Sequence, residues 1–141
     1  MTTHFVAPTE DDLVDLARRW LDLEALVREA YDASLDLSVP GLDLLQRVLT
    51  DGLLDPAEPY GFECLGVALG RVLAEQVPGL DWAAAEDEAG RTVVLRHGIS
   101  SFHVDVVPMV RERVERGEPV DVRALYTWVE ALVEDHVAGQ G

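Results

Sequence analysis

Lysine is absent from this 141-residue chain: all eleven basic residues are arginine, against 27 acidic ones, for a formal charge of −16. A chain of this charge repels DNA, RNA and anionic membranes, because no basic patch is available to neutralise phosphates. Cysteine is almost absent as well, and the lone Cys64 excludes an internal disulfide and a thiolate zinc site. No apolar run approaches the roughly 20 residues that cross a bilayer. Met1 is followed by Thr2, Thr3 and His4, without the basic start and apolar stretch of a secretory signal. A cytoplasmic location is expected. Internal repeats and low-complexity segments are missing too.

Apolar residues are plentiful, at 48%. That is enough for a real core in one domain spanning residues 1–141. The Ala, Val, Leu, Gly and Asp enrichment with arginine as the sole base suggests a GC-rich bacterial genome. Charge is uneven along the chain: residues 1–63 hold 14 acids and 4 arginines, residues 64–141 hold 13 and 7. The first half is the stronger electrostatic face.

Residues 1–8 read as a loose lead-in, and His4 falls within it. Thr9 opens a helix as its N-cap, with Asp12 at the capping-box position. From Leu13 to Tyr31 the residues Leu13, Leu16, Ala17, Trp20, Leu23 and Val27 share one side, opposite Asp15, Arg18, Asp22 and Glu29. Leu42 to Leu49 reads as a short helix, completing an acidic helical part over 9–55. Asp55 to Pro59 reads as loop, because paired prolines leave little room for helix. A third helix runs from Gly61 to Val77, burying Phe62, Leu65, Ala68, Leu69, Val72 and Leu73. Gly66 and Gly70 lie inside it and point to close approach by another element, since each costs about 1 kcal/mol against alanine.

Leu80–Glu86 and Arg91–Arg96 form a hairpin around the turn Asp87-Glu88-Ala89-Gly90. Ile99–Val107 follows as a third strand. Pro108 starts a helix over Met109–Arg116, which Gly117 stops. Asp121 caps a last helix whose apolar face carries Val122, Leu125, Tyr126, Val129, Leu132, Val133, His136 and Val137. The expected class is α+β, a small antiparallel sheet of about three strands (80–107) packed against four or five helices. Strand–helix alternation of the parallel kind is lacking.

Leu65-Gly66-Val67-Ala68-Leu69-Gly70, Gly79-Leu80-Asp81-Trp82, Glu86 to Arg91, Val106-Val107-Pro108, and Arg113 to Gly117 followed by Val120-Asp121-Val122 resemble a bacterial family. It is the one catalogued as domain of unknown function 3806, over residues 61–129. Ala83-Ala84-Ala85 departs from the bulkier β-branched residues such a strand calls for. The shared motifs are glycines, turns and caps, so the resemblance implies a fold for 61–137 and no activity.

Chemistry-bearing groups are few. His97, His103 and Asp105 form the only compact set with metal-ligand chemistry, with His103 and Asp105 on one face of a strand; the plainer reading is a turn histidine and polar edge residues. Glu86, Asp87 and Glu88 offer carboxylates for acid–base work, or simply a solvated hairpin tip. Cys64 sits near a helix start, where a thiolate is favoured, but lacks a nucleophile's flanking signature. His136 belongs to an apolar face, where packing and a hydrogen bond are its expected lot. Gly66 and Gly70 are not a phosphate loop, for no strand precedes them and no lysine follows.

Trp128 falls beside the stripe of the last helix, as a core edge or an exposed anchor. Together with Asp11, Asp15, Asp22 and Glu29 it makes a candidate partner-binding set. No cofactor, nucleic acid or membrane partner is expected. The leading functional expectation is a non-enzymatic domain binding a basic protein, as an immunity protein or antitoxin would. A small enzyme or metal domain using His97, His103 and Asp105, and a dimerising module, are the alternatives.

Overall fold

The computed structural model describes residues 2–140. Its order is β1 (His4–Val6), α1 (Glu10–Tyr31), α2 (Leu42–Thr50), α3 (Pro59–Gln76), β2 (Leu80–Asp87), β3 (Gly90–His97), β4 (His103–Val104), α4 (Met109–Glu115) and α5 (Val122–Gln140). The fold is α+β: a four-stranded antiparallel sheet in the order β1-β2-β3-β4, with five helices. Among the described residues no helix is long and apolar enough to cross a membrane.

Helix α3 is the axis of the molecule. Phe62, Cys64, Leu65, Val67, Leu69, Val72 and Leu73 are all buried, so its buried surface is not confined to one stripe. Each fully buried leucine contributes about 2 kcal/mol of transfer free energy. Its two inner glycines do what their position implied. A Cβ on Gly66 would stand 2.1 Å from the Val107 carbonyl oxygen, and one on Gly70 would stand 2.5 Å from the Trp82 ring. The chain leaving β4 and the indole of β2 therefore lie directly on the helix backbone.

Strand alternation puts Leu80, Trp82, Ala84, Leu95 and Val104 on the face turned to the helices. Leu80, Leu95 and Val104 join Leu23 and Val27 of α1 and Val129 of α5 in one core, so the acidic N-terminal helices pack with the sheet-bearing part. On the outer face the Phe5 ring meets His103 at 5.1 Å and carries the Arg96 guanidinium at 4.3 Å. Ala83, Ala85 and Val94 of that same face are buried. The alanine run is thus a full strand, sandwiched between β1 and β3, and small where neighbours come close.

Several expectations are corrected. His4–Val6 is an edge strand paired with Glu86, Ala85 and Ala84, not part of a loose lead-in. Pro59 begins α3 rather than ending a loop, because a first helical residue needs no N–H donor. Ile99–Val107 is not a strand beyond His103–Val104. Arg96 donates to the carbonyls of Ile99 and Ser100, at 2.6 and 2.7 Å, and those acceptors then take no part in a ladder. Leu13, assigned to the buried stripe of α1, is 51% exposed. The caps stand as read: Thr9 and Asp12 form the reciprocal capping box, and Asp121 accepts from Ala124 N–H at 3.0 Å. Gln46 of α2 adds a cap from outside, its side-chain oxygen accepting from Val122 N–H at 2.8 Å.

Candidate functional site

The register Arg96↔His103 sends His103 to the outer face of the sheet. His97, one residue on from Arg96, points to the helix side, against Gly79 and edge-on to His136 at 5.5 Å. The two histidines therefore lie on opposite faces. Asp105 is past the end of β4, where partial desolvation and then the charge of Glu112 push its carboxyl up. Among the described residues no three His, Cys, Asp or Glu side chains converge to hold a metal ion.

Glu86 lies in β2 and Glu88 in the turn beyond Asp87, so they share no strand face. His136 stacks on Phe102 (centroids 4.9 Å) with Nε2 3.1 Å from the Ser100 hydroxyl. That hydroxyl donates to the His97 carbonyl and accepts from Phe102 N–H. Its proton is already committed, so this Ser–His pair is packing and not a nucleophile with its base.

Cys64 is buried beneath Tyr60, which donates to Asp22 at 2.5 Å. Burial pushes the thiol up to about 11, with Tyr60 offsetting only part of the effect. At pH 8, iodoacetamide should modify it far more slowly in the native protein than in urea-unfolded chain. Equal rates in the two states would remove the buried-thiol assignment.

Trp128 is 48% exposed, with the Arg113 guanidinium 5.9 Å from its ring. It borders a groove of about 300 Å³ together with His103, Asp105, Met109 and Glu112. Asp11, Asp15, Asp22 and Glu29 are exposed along α1. Asp22 is taken by Tyr60 and Asp15 lies 3.8 Å from Arg18. Asp11 and Glu29 are the unengaged members of the set among the described residues.

A concentration of opposed charge lies elsewhere. A cleft of about 380 Å³ opens between the start of α1, α3, β3 and the chain from Asp105 to Arg111. Arg91 reaches across it to hold the Asp12 carboxylate with both terminal nitrogens. That contact keeps Asp12 well below the usual carboxylate range. Deeper in, Glu63 of α3 accepts from Arg111 at 2.7 Å and lies 3.8 Å from Arg19. The Nε atoms of both Arg19 and Arg111 are buried without a hydrogen-bond partner among the described residues. Sequence reading missed this site because its arginines come from three elements with no common spacing.

With helices enclosing one face of a four-stranded sheet and a charged cleft at the junction, the chain is an α+β protein with a candidate binding site of no established motif. The family model described as domain of unknown function (DUF3806) matches residues 41–126, and the chain belongs to that family. The match begins at Gly41 and so takes in α2, which the residue motifs over 61–129 had left outside. A solved structure from Bacteroides thetaiotaomicron VPI-5482 is similar, at a TM-score of 0.82 and 15% identity. The likeness covers 90% of this chain and 47% of that one, and it is a likeness of fold. The chain thus spans about half the length of that neighbour. The search of curated proteins gave no match.

Proposed function

We propose that the protein is a single-domain, non-enzymatic binding module that offers a carboxylate-rich surface to a basic protein in the cytoplasm, as an immunity protein or antitoxin does. One observation carries the reading: every arginine is already engaged. Seven take part in ion pairs, Arg18, Arg19, Arg28, Arg91, Arg111, Arg116 and Arg123. The other four, Arg47, Arg71, Arg96 and Arg113, lie over aromatic rings. Only seven of the 27 acidic side chains join those pairs. The rest have no cation against them among the described residues, and the attraction left over is for a cation from outside. A nucleic-acid surface is disfavoured on the same ground.

The test is affinity capture from native lysate with the wild-type chain and with the double variant Asp11→Asn, Glu29→Gln. A stoichiometric basic protein should be held at about 50 mM salt and released at about 1 M, where the screening length shrinks to roughly 3 Å. The variant should retain less of it. A partner that is held equally by the variant and at high salt, or an empty capture, removes the proposal.

A further inference from the structure

We propose that the cleft between α1, α3 and β3 binds a small organic carboxylate with an apolar body, held by Arg19 and Arg111. This goes beyond the acidic-surface reading and does not rest on it. The protein has only eleven arginines, and three of them line this one cleft. Arg91 is closed off by its paired contact with Asp12. Arg19 and Arg111 are not: two guanidinium groups share one carboxylate, Glu63, and Arg19 also lies 5.3 Å from the centre of the Tyr60 ring. Asp15 offers Arg19 only its backbone carbonyl, at 3.4 Å, its own carboxylate facing Arg18. Glu115 is 60% exposed and stands 3.6 Å from Arg111 Nε, outside hydrogen-bond range.

Each guanidinium has five N–H donors, yet Arg19 and Arg111 make one hydrogen bond apiece among the described residues. Both Nε donors are shut away from solvent without an acceptor. Charged donors in that state are costly to leave unmet. An Nε–H beside a parallel Nη–H is the fork that a carboxylate matches with its two oxygens.

The remaining wall defines the rest of the ligand. Leu16, Val67, Val93 and Pro108 line the cleft, and its 380 Å³ suits a body of a few carbons. Charge argues for a single carboxylate rather than phosphate. Arg19 and Arg111 share the cleft with Glu63 and, at the rim, with Asp12, Asp15 and Asp105, so a dianion meets about twice the repulsion that a single carboxylate does.

Calorimetric titration of the full chain with hexanoate, hexanamide and inorganic phosphate tests this. Hexanoate should bind saturably at one site, and hexanamide and phosphate should not. Arg111→Met should weaken hexanoate binding by about tenfold or more, the loss expected for a charge-assisted paired contact. Glu63→Gln, which releases both guanidinium groups, should tighten it several-fold. This variant decides the matter even if Arg111→Met fails to fold. The proposal is overturned by the absence of saturable hexanoate binding, by hexanamide binding as tightly, by phosphate binding in its place, or by a Glu63→Gln chain that binds no more tightly than wild type.

Discussion

Gly66→Ala should lower the urea midpoint by the equivalent of about 3 kcal/mol or more, or prevent folding altogether. The added methyl would stand 2.1 Å from the Val107 carbonyl oxygen and 2.8 Å from that of Val106. Both are backbone, in a segment where Val106 is fully buried and its carbonyl accepts from Met109 N–H. Nothing there can turn aside as a side chain could. Helix propensity pulls the other way by about 1 kcal/mol, because alanine is the better helix former. The clash is the larger effect, so the sign is destabilising.

Two companions calibrate the result. Gly70→Ala meets chiefly the Trp82 ring, a partly exposed side chain that can tilt, and should cost about 1–2 kcal/mol. Gly139→Ala, with nothing within 4 Å, should raise stability by a few tenths of a kcal/mol. Midpoints that fail to rank in this order would remove the close approach of the Val106–Val107 backbone as their cause.

Asp12→Ala should cost about 2 kcal/mol, roughly half from the lost capping box and half from the lost contact with Arg91. Thr9→Ala, which spoils the cap and keeps the ion pair, should cost about half as much. The ion pair has its own signature in pH. Hydrogen bonds from Arg91, then from Thr9, hold the folded carboxyl far below its ordinary 3.8, with desolvation opposing them. A depressed folded pKa makes this contribution complete above about pH 5. It is lost as pH falls through the ordinary value toward the folded one. The stability gap between wild type and Asp12→Asn should therefore narrow from pH 7 to about pH 3 in urea titrations. A gap that does not change with pH would show that no charged carboxylate is at work there.

What could be read in the sequence were features whose cause is local. Thr9 and Asp12 lie three residues apart on one chain, and so do Asp121 and Ala124; caps of this kind need no tertiary knowledge. Gly66 and Gly70 were informative because they sit where a helix disfavours them. The hairpin announced itself by Gly90, whose φ of 133° only glycine takes readily. Missed features have distant causes. Three residues of β1 carry no period of their own and become a strand because β2 presents an open edge. Ile99–Val107 has the composition of a strand, but Arg96 takes its first carbonyls. Asp12 was visible as a cap and invisible as the partner of Arg91, 79 residues away. The pairing of Arg19 with Arg111 through Glu63 leaves no trace in spacing at all.

The three residues of β1 also carry a consequence for the edge of the sheet. Among the described residues they are the strand partners of Ala84, Ala85 and Glu86 on the far side of β2, an eight-residue strand whose alanines present little bulk to an incoming chain. If His4–Val6 peels away, three successive ladder positions of β2 are left open, and Phe5 leaves the outer face where it meets Arg96 and His103. An edge in that condition is a template for a strand from any neighbour, including a second copy of this protein. The short N-terminal strand is thus a partial cover held by very few bonds, and its departure would leave that whole edge of β2 without a strand partner.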